Sequence, residues 1–154
     1  MRRVKLGDVF EIKTSKGSAY IHYVYKDNHL GQLIRVLPDL YSYLPDDLDK
    51  LVSGSHRFVV FFPLSAANKK QQVKFVGNHL LDNYEKPKQM RTEHYIAGEF
   101  LGWDIIDTDT WKRKFVKKLS NKQRKLSPWG IWNDTLLVER LEEGWSLDNW
   151  CSVR

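Results

Sequence analysis

Arg57-Phe58-Val59-Val60-Phe61-Phe62-Pro63-Leu64 contains the longest unbroken apolar run in the chain, and its reading decides the fold. The run is β-branched and aromatic, and it lies between the turn formers Ser53-Gly54-Ser55 and the polar stretch Asn68-Lys69-Lys70. Too short to span a membrane and closed by a proline, it reads as a strand covered on both faces. Strand geometry sends Phe58, Val60 and Phe62 to one side and Val59 and Phe61 to the other. Burying five such side chains is worth on the order of 10 kcal/mol, enough to anchor a core.

Toward the N-terminus the same logic gives three more strands. Leu6 to Ile12 alternates, with Leu6, Phe10 and Ile12 on one face, and Lys16-Gly17-Ser18 turns the chain. Ala19 to Tyr25 is the second strand, placing Ile21, Tyr23 and Tyr25 together, and Leu30 to Leu37 is the third, placing Leu30, Ile34 and Val36 together. Short turns between them make a β-meander. Pro38 ends it, and Asp39 to Lys50 is a loop with a helical turn from Pro45 to Leu51.

Beyond the central run, Gln72 to Val76 alternates as a further strand, and Leu81 to Arg91, which contains Pro87, reads as a surface connection. His94 to Ile106 carries Gly98 and Gly102 inside an apolar and aromatic pattern, as in a bulged or sharply bent strand. Trp111, Phe115 and Leu119 recur every four residues and Val116 widens the stripe, which predicts an amphipathic helix from near residue 110, capped by Thr108 or Asp109. Leu136, Leu137, Arg140 and Leu141 fit a second short helix capped by Asn133 or Asp134, with a strand over Thr135 to Leu141 as the alternative; Gly144 closes either one. The expectation is a single α+β domain over residues 1–154: a bent antiparallel β-sheet or partial SH3-like barrel, β-rich over 1–106, with C-terminal helices in 107–154.

The net charge of +6 has one source. Lys112, Arg113, Lys114, Lys117, Lys118, Lys122, Arg124 and Lys125 follow one another without an acid, whereas the rest of the chain is nearly balanced. Such a stripe favours an acidic partner, whether nucleic acid, an acidic protein face or a membrane surface. On the expected helix the aromatics fall at the spacing that buries them, so they would not form a stacking platform for bases, and a solvated face or protein contact is the preferred reading. Tyr41, Tyr43 and Leu44, beside Asp46, Asp47 and Asp49, form a second candidate surface; tyrosines on a loop either anchor an interface or cover the end of the sheet.

Catalytic and metal-binding signatures are missing. The five histidines, His22, His29, His56, His79 and His94, show no ligand spacing and read as surface or edge-strand residues. Asp46, Asp47 and Asp49 lack the order, glycine and closing glutamate of a calcium loop, and Asp104, Asp107 and Asp109 read as helix caps. No phosphate-binding or nucleophile motif occurs, so neither cofactor nor metal is expected. Cys151 is the single cysteine and reads as a buried or idle thiol. Met1-Arg2-Arg3-Val4-Lys5 is followed by Gly7, Asp8 and Glu11 rather than an apolar segment, which fits a cytoplasmic protein with no membrane partner.

Leu6-Gly7-Asp8-Val9-Phe10-Glu11-Ile12, the aromatic strand Ala19 to Tyr25, the strand Phe58 to Leu64 with its proline, and Val76-Gly77 together resemble the immunity protein 26 family of bacterial polymorphic toxin systems. The resemblance covers about the first half of the chain. It implies a small β-rich cytoplasmic protein that binds a cognate toxin domain and blocks it stoichiometrically, with no catalytic residues. The candidate contacts are then the loop residues Tyr41, Tyr43, Asp46, Asp47 and Asp49 and the basic residues Lys117, Lys118, Lys122, Arg124 and Lys125. A nucleic-acid-binding module using a basic helix over 112–125 is the alternative.

Overall fold

The computed structural model describes residues 2–150. Three strands, β1 (Asp8–Thr14), β2 (Gly17–Asp27) and β3 (Gly31–Val36), form the expected meander. The β1–β2 turn is only Ser15-Lys16, and Gly17 closes it at φ +126, where an added Cβ would come within 3.0 Å of the Tyr41 carbonyl. At the next turn Asp27 Oδ2 accepts the N–H groups of His29 and Leu30, each at 2.8 Å. A helix α1 (Leu48–Ser53) precedes β4 (Phe58–Phe61), and β5 (Lys74–Asn78) returns to pair with β1. The resulting five-stranded antiparallel sheet has the order β4-β3-β2-β1-β5.

Strand β4 is buried on both faces. Phe58 and Val60, with Phe62 just beyond, pack with Phe10, Ile21, Trp132 and Trp145 in the main core, while Val59 and Phe61 pack with Leu33 and Met90 in a second cluster. Two face assignments differ from simple alternation. A register shift between Tyr23 and Tyr25 inserts one residue, so Tyr23 stays in the main core and Tyr25 joins the second cluster. Leu30 lies in the turn and also joins that cluster, apart from Ile34 and Val36. Leu6, expected with Phe10 and Ile12, precedes β1 and is exposed.

Helix α2 (Leu64–Lys69) follows β4 directly and is too short to leave a periodic signal; it buries Leu64 and Ala67 and exposes Ser65, Ala66 and Lys69. Residues 94–106 are two strands rather than one. In the hairpin of β6 (Gln89–Ile96) and β7 (Glu99–Asp107), Ala97-Gly98 has positive φ at both positions, as a tight two-residue turn requires. The expected bulge is present as well, between His94 and Tyr95 opposite Gly102 and Phe100.

The helix expected from residue 110 does not form. Asp107 Oδ1 accepts the N–H groups of Asp109 and Thr110, each at 2.9 Å, and Trp111 adopts φ +64, so the aspartates build a turn instead of a cap. Arg113–Val116 then pairs with Trp103–Ile106 as β8, completing a sheet of order β6-β7-β8. Only residues 123–125 further on make a 3-10 turn. Phe115 alternates with Arg113 as well as it repeats with Trp111, and the open edge of β7 selects the strand. The second C-terminal helix does form, as α3 (Asp134–Glu142), with Asn133 Oδ1 accepting from Leu136 N at 2.8 Å.

The two sheets are stitched by residues 127–132. Val59 N–H donates to Ser127 Oγ at 3.1 Å and Trp132 N–H to the Phe61 carbonyl at 2.9 Å, while on the other side Arg91 N–H donates to the Ser127 carbonyl and Trp129 N–H to that of Arg91. Among the described residues no helix is long and apolar enough to cross a membrane.

Candidate functional site

Register on the three-stranded sheet assigns its side chains to two faces. Opposed residues share a side, so Thr92, Asp104 and Phe115 lie on one face with His94, Gly102 and Arg113, and Arg91, Ile105 and Lys114 lie on the other with Glu93, Trp103 and Val116. On the first face Phe115 packs edge-on to His94 at 5.1 Å between centroids, over Gly102, where a Cβ would meet the Val116 carbonyl at 2.6 Å and the Phe115 ring at 2.8 Å. Asp104 pairs there with His94 at 3.0 Å and Arg113 at 3.3 Å, so it is a strand residue in an ion-paired cluster and not a cap.

The second face carries the most unusual residue. Arg91 is fully buried, yet it has no carboxylate partner among the described residues. Its Nε donates to the Leu126 carbonyl at 3.0 Å, and Nη2 donates to the carbonyls of Arg124 and Leu147 at 3.0 and 3.1 Å. The guanidinium lies 4.1 Å from the ring centroid of Trp150 and 4.7 Å from that of Trp103, whose negative faces favour a cation. Nη1 has no hydrogen-bond partner among the described residues. Burial, reinforced by the Arg124 charge and opposed by Glu93, pulls the Arg91 pKa down to about 10, so the group stays charged at neutral pH.

Arg91 lines a cleft of about 280 Å³. Its other buried or half-buried lining is Trp103, Trp150, Phe100, Leu119 and Leu147, and its exposed lining is Lys117, Lys118, Arg124 and Asp148. The fold therefore brings three of the sequence-identified cations, Lys117, Lys118 and Arg124, to one cavity. Lys122 and Lys125 are exposed at the ends of the neighbouring 3-10 turn and do not line it.

The acidic tyrosine loop belongs to the other sheet. Tyr41 exchanges backbone hydrogen bonds with Ser18 and sets its ring against Tyr20, so it covers the sheet end. Tyr43 is 74% exposed and Asp46 is exposed. Asp47 caps α1 by accepting from Lys50 N at 3.0 Å, and Asp49 pairs with His79. Loop and cleft are thus separate surfaces. No three histidine, cysteine, aspartate or glutamate side chains among the described residues converge as metal ligands. Cys151 lies outside the described residues.

One histidine departs from its expected surface position. His22 is fully buried, with Nε2–H donating to the His79 carbonyl at 2.6 Å and Nδ1 accepting from Arg35 at 3.0 Å. Burial, with Arg35 adding to it, drops its pKa to about 4, so it is neutral and fixed in one tautomer at physiological pH.

Arg91, Trp103 and Trp150 were not readable as a site. The one available signal was the alternation through Met90-Arg91-Thr92, which extends the strand pattern into the supposed connection. No known protein family, curated protein or solved structure matches this chain.

Proposed function

We propose that the protein is a binding protein rather than an enzyme: a cytoplasmic immunity protein that holds a cognate toxin domain in a stoichiometric complex through the basic segment 112–125. The observation that carries this reading is how that segment is presented. Its cations stand on an edge strand and an irregular loop, and Trp111 and Phe115 are 40% and 49% exposed among them, instead of packing beneath a helix. Cations around accessible aromatics supply both the steering charge and the apolar anchor that an acidic protein face needs. Tyr43 and Asp46, exposed on the loop beside the five-stranded sheet, offer a second contact.

Coexpression tests it. Growth should be rescued from a toxin domain encoded beside this gene, and the triple charge reversal of Lys117, Lys118 and Lys122 to glutamate should slow association most strongly at low salt. Unchanged association in that variant, or failure to rescue, overturns the proposal.

The same exposure favours a second reading. Trp111 and Phe115 with Arg113, which shares the face of Phe115, also suit single-stranded nucleic acid, because bases stack on accessible rings while cations track phosphates. Tight binding of a labelled single-stranded RNA, weakening steeply with salt and lost on Phe115→Ala, would put that reading first.

A further inference from the structure

We propose that the cleft over the three-stranded sheet is a binding site for a small phosphomonoester, its phosphate held by Lys117, Lys118 and Arg124 above Arg91 and its apolar body against Phe100 and Leu119. The site shares Lys117, Lys118 and Arg124 with the basic segment but lies on the other face of the three-stranded sheet from Phe115, and it does not depend on the identity of the macromolecular partner.

Three observations converge on this ligand. The first is uncompensated charge. Arg91 is a fully buried cation with no acid bonded to it, and Lys117, Lys118 and Arg124 make no ion pair among the described residues. Against these four cations the lining offers one carboxylate, Asp148, which is exposed; Glu93 nearby accepts from Trp150 Nε1 at 2.8 Å. A dianion suits such an excess better than a neutral ligand does.

The second is rigidity. The carbonyls of Arg124, Leu126 and Leu147 fix Nε and Nη2 of Arg91, and these carbonyls belong to the same two segments that wall the cleft. The positive charge therefore stands in place before any ligand arrives: Nη1 has no hydrogen-bond partner among the described residues but is itself buried, so Arg91 acts on a ligand through its fixed charge beneath the cleft rather than as a direct donor. A preorganised charge loses no freedom on binding.

The third distinguishes phosphate from carboxylate. A carboxylate brings one charge and two oxygens, which the Arg124 guanidinium alone could satisfy, whereas three separate cations, Lys117, Lys118 and Arg124, line this one cavity. Three separate donors match the double charge and three oxygens of a phosphate better. The cavity, about 280 Å³ and partly aromatic, limits the ligand to a small body.

The test titrates the full chain with phenyl phosphate, inorganic phosphate and phenylacetate, following tryptophan fluorescence and calorimetry at low salt. Phenyl phosphate should bind one to one and about tenfold more tightly than either of the others, and the double variant Lys117→Gln, Lys118→Gln should lose about tenfold, in line with charge-assisted hydrogen bonds. Arg91→Lys should weaken binding too; if that variant does not fold, the exposed lysine pair still decides. Phenylacetate binding as well as phenyl phosphate, a stoichiometry above one, or unchanged affinity in the lysine variant overturns the proposal.

Discussion

Arg35 and Arg91 are both buried arginines without a carboxylate partner among the described residues, and they end up in opposite conditions. Arg35 has a partner for each of its three nitrogens: Nε donates to His56 Nδ1 at 3.1 Å, Nη1 to His22 Nδ1 at 3.0 Å and to the Val52 carbonyl at 2.8 Å, and Nη2 to the Gly54 carbonyl at 2.7 Å. It thereby ties β2 and β3 to the C-terminal end of α1, where cations are favoured by the free carbonyls. Arg91 is held by three backbone carbonyls but has one nitrogen without a partner among the described residues, and it lines a cleft. Burial of a cation alone therefore does not mark a site. The distinction is whether every nitrogen is engaged by the fold.

The largest effect that could break this distinction is on stability. Arg35→Met leaves His22 Nδ1 and the Val52 and Gly54 carbonyls without their donor, and should cost about 4 kcal/mol in urea unfolding, as expected when one member of a buried polar network is removed. A loss below about 1 kcal/mol would show that Arg35 is not the pin described here.

Next in size is a pH effect on the same network. His22 has a folded pKa near 4 against an ordinary 6.5, so the unfolded chain takes up the proton first as pH falls. The stabilising neutral state is fully favoured above pH 6.5, and stability is lost as pH drops from 6.5 toward 4, by roughly 3 kcal/mol in total. Protonation would face the Arg35 guanidinium at 3.0 Å, with His56 on the far side of Arg35 and the His79 backbone already accepting. His22→Gln should flatten that slope in chemical denaturation between pH 6.5 and 4.5; an unchanged slope would assign it to the carboxylates.

Arg91→Met should cost less, about 2 kcal/mol by the same measurement, because it strands three carbonyls but also removes a charge with an unpaired donor. A cost equal to that of Arg35→Met would erase the difference between the two residues and reclassify Arg91 as a structural pin.

The two arginines also differ in how far the sequence announces them. Arg35 lies within an alternating strand that the turn residues Asp27 and Gly31 delimit locally, and α1 and its Asp47 cap fall close to the helical turn expected from Pro45 to Leu51. Alternation and turn chemistry act over a few residues, so the meander, β4 and the Asn133-capped helix are all legible. Arg91 acquires its meaning from partners 33 to 56 residues downstream, which no local pattern encodes. The basic segment fails for a related reason. Its apolar spacing serves a helix or a strand equally, and the decision lies with the edge of β7 and the left-handed Trp111. The cations Lys117, Lys118 and Arg124 were identified by charge alone, while the cavity that unites them required the sheet.

The smallest effect sharpens the contrast most. Trp150→Leu keeps an apolar body over Arg91 while removing one of its two aromatic faces and the indole N–H that donates to Glu93. The expected loss of stability is about 1 kcal/mol, the scale of one partly desolvated cation–π contact. Because Trp150 also lines the cleft, the same variant should alter phenyl phosphate binding, whereas Arg35 variants that remain folded should leave it unchanged. A residue whose loss moves binding more than folding belongs to a site, and one that moves only folding belongs to the frame. Equal movement of both quantities in Trp150→Leu and in a folded Arg35 variant would mean that the two buried cations form one cooperative structure with no specialised pocket.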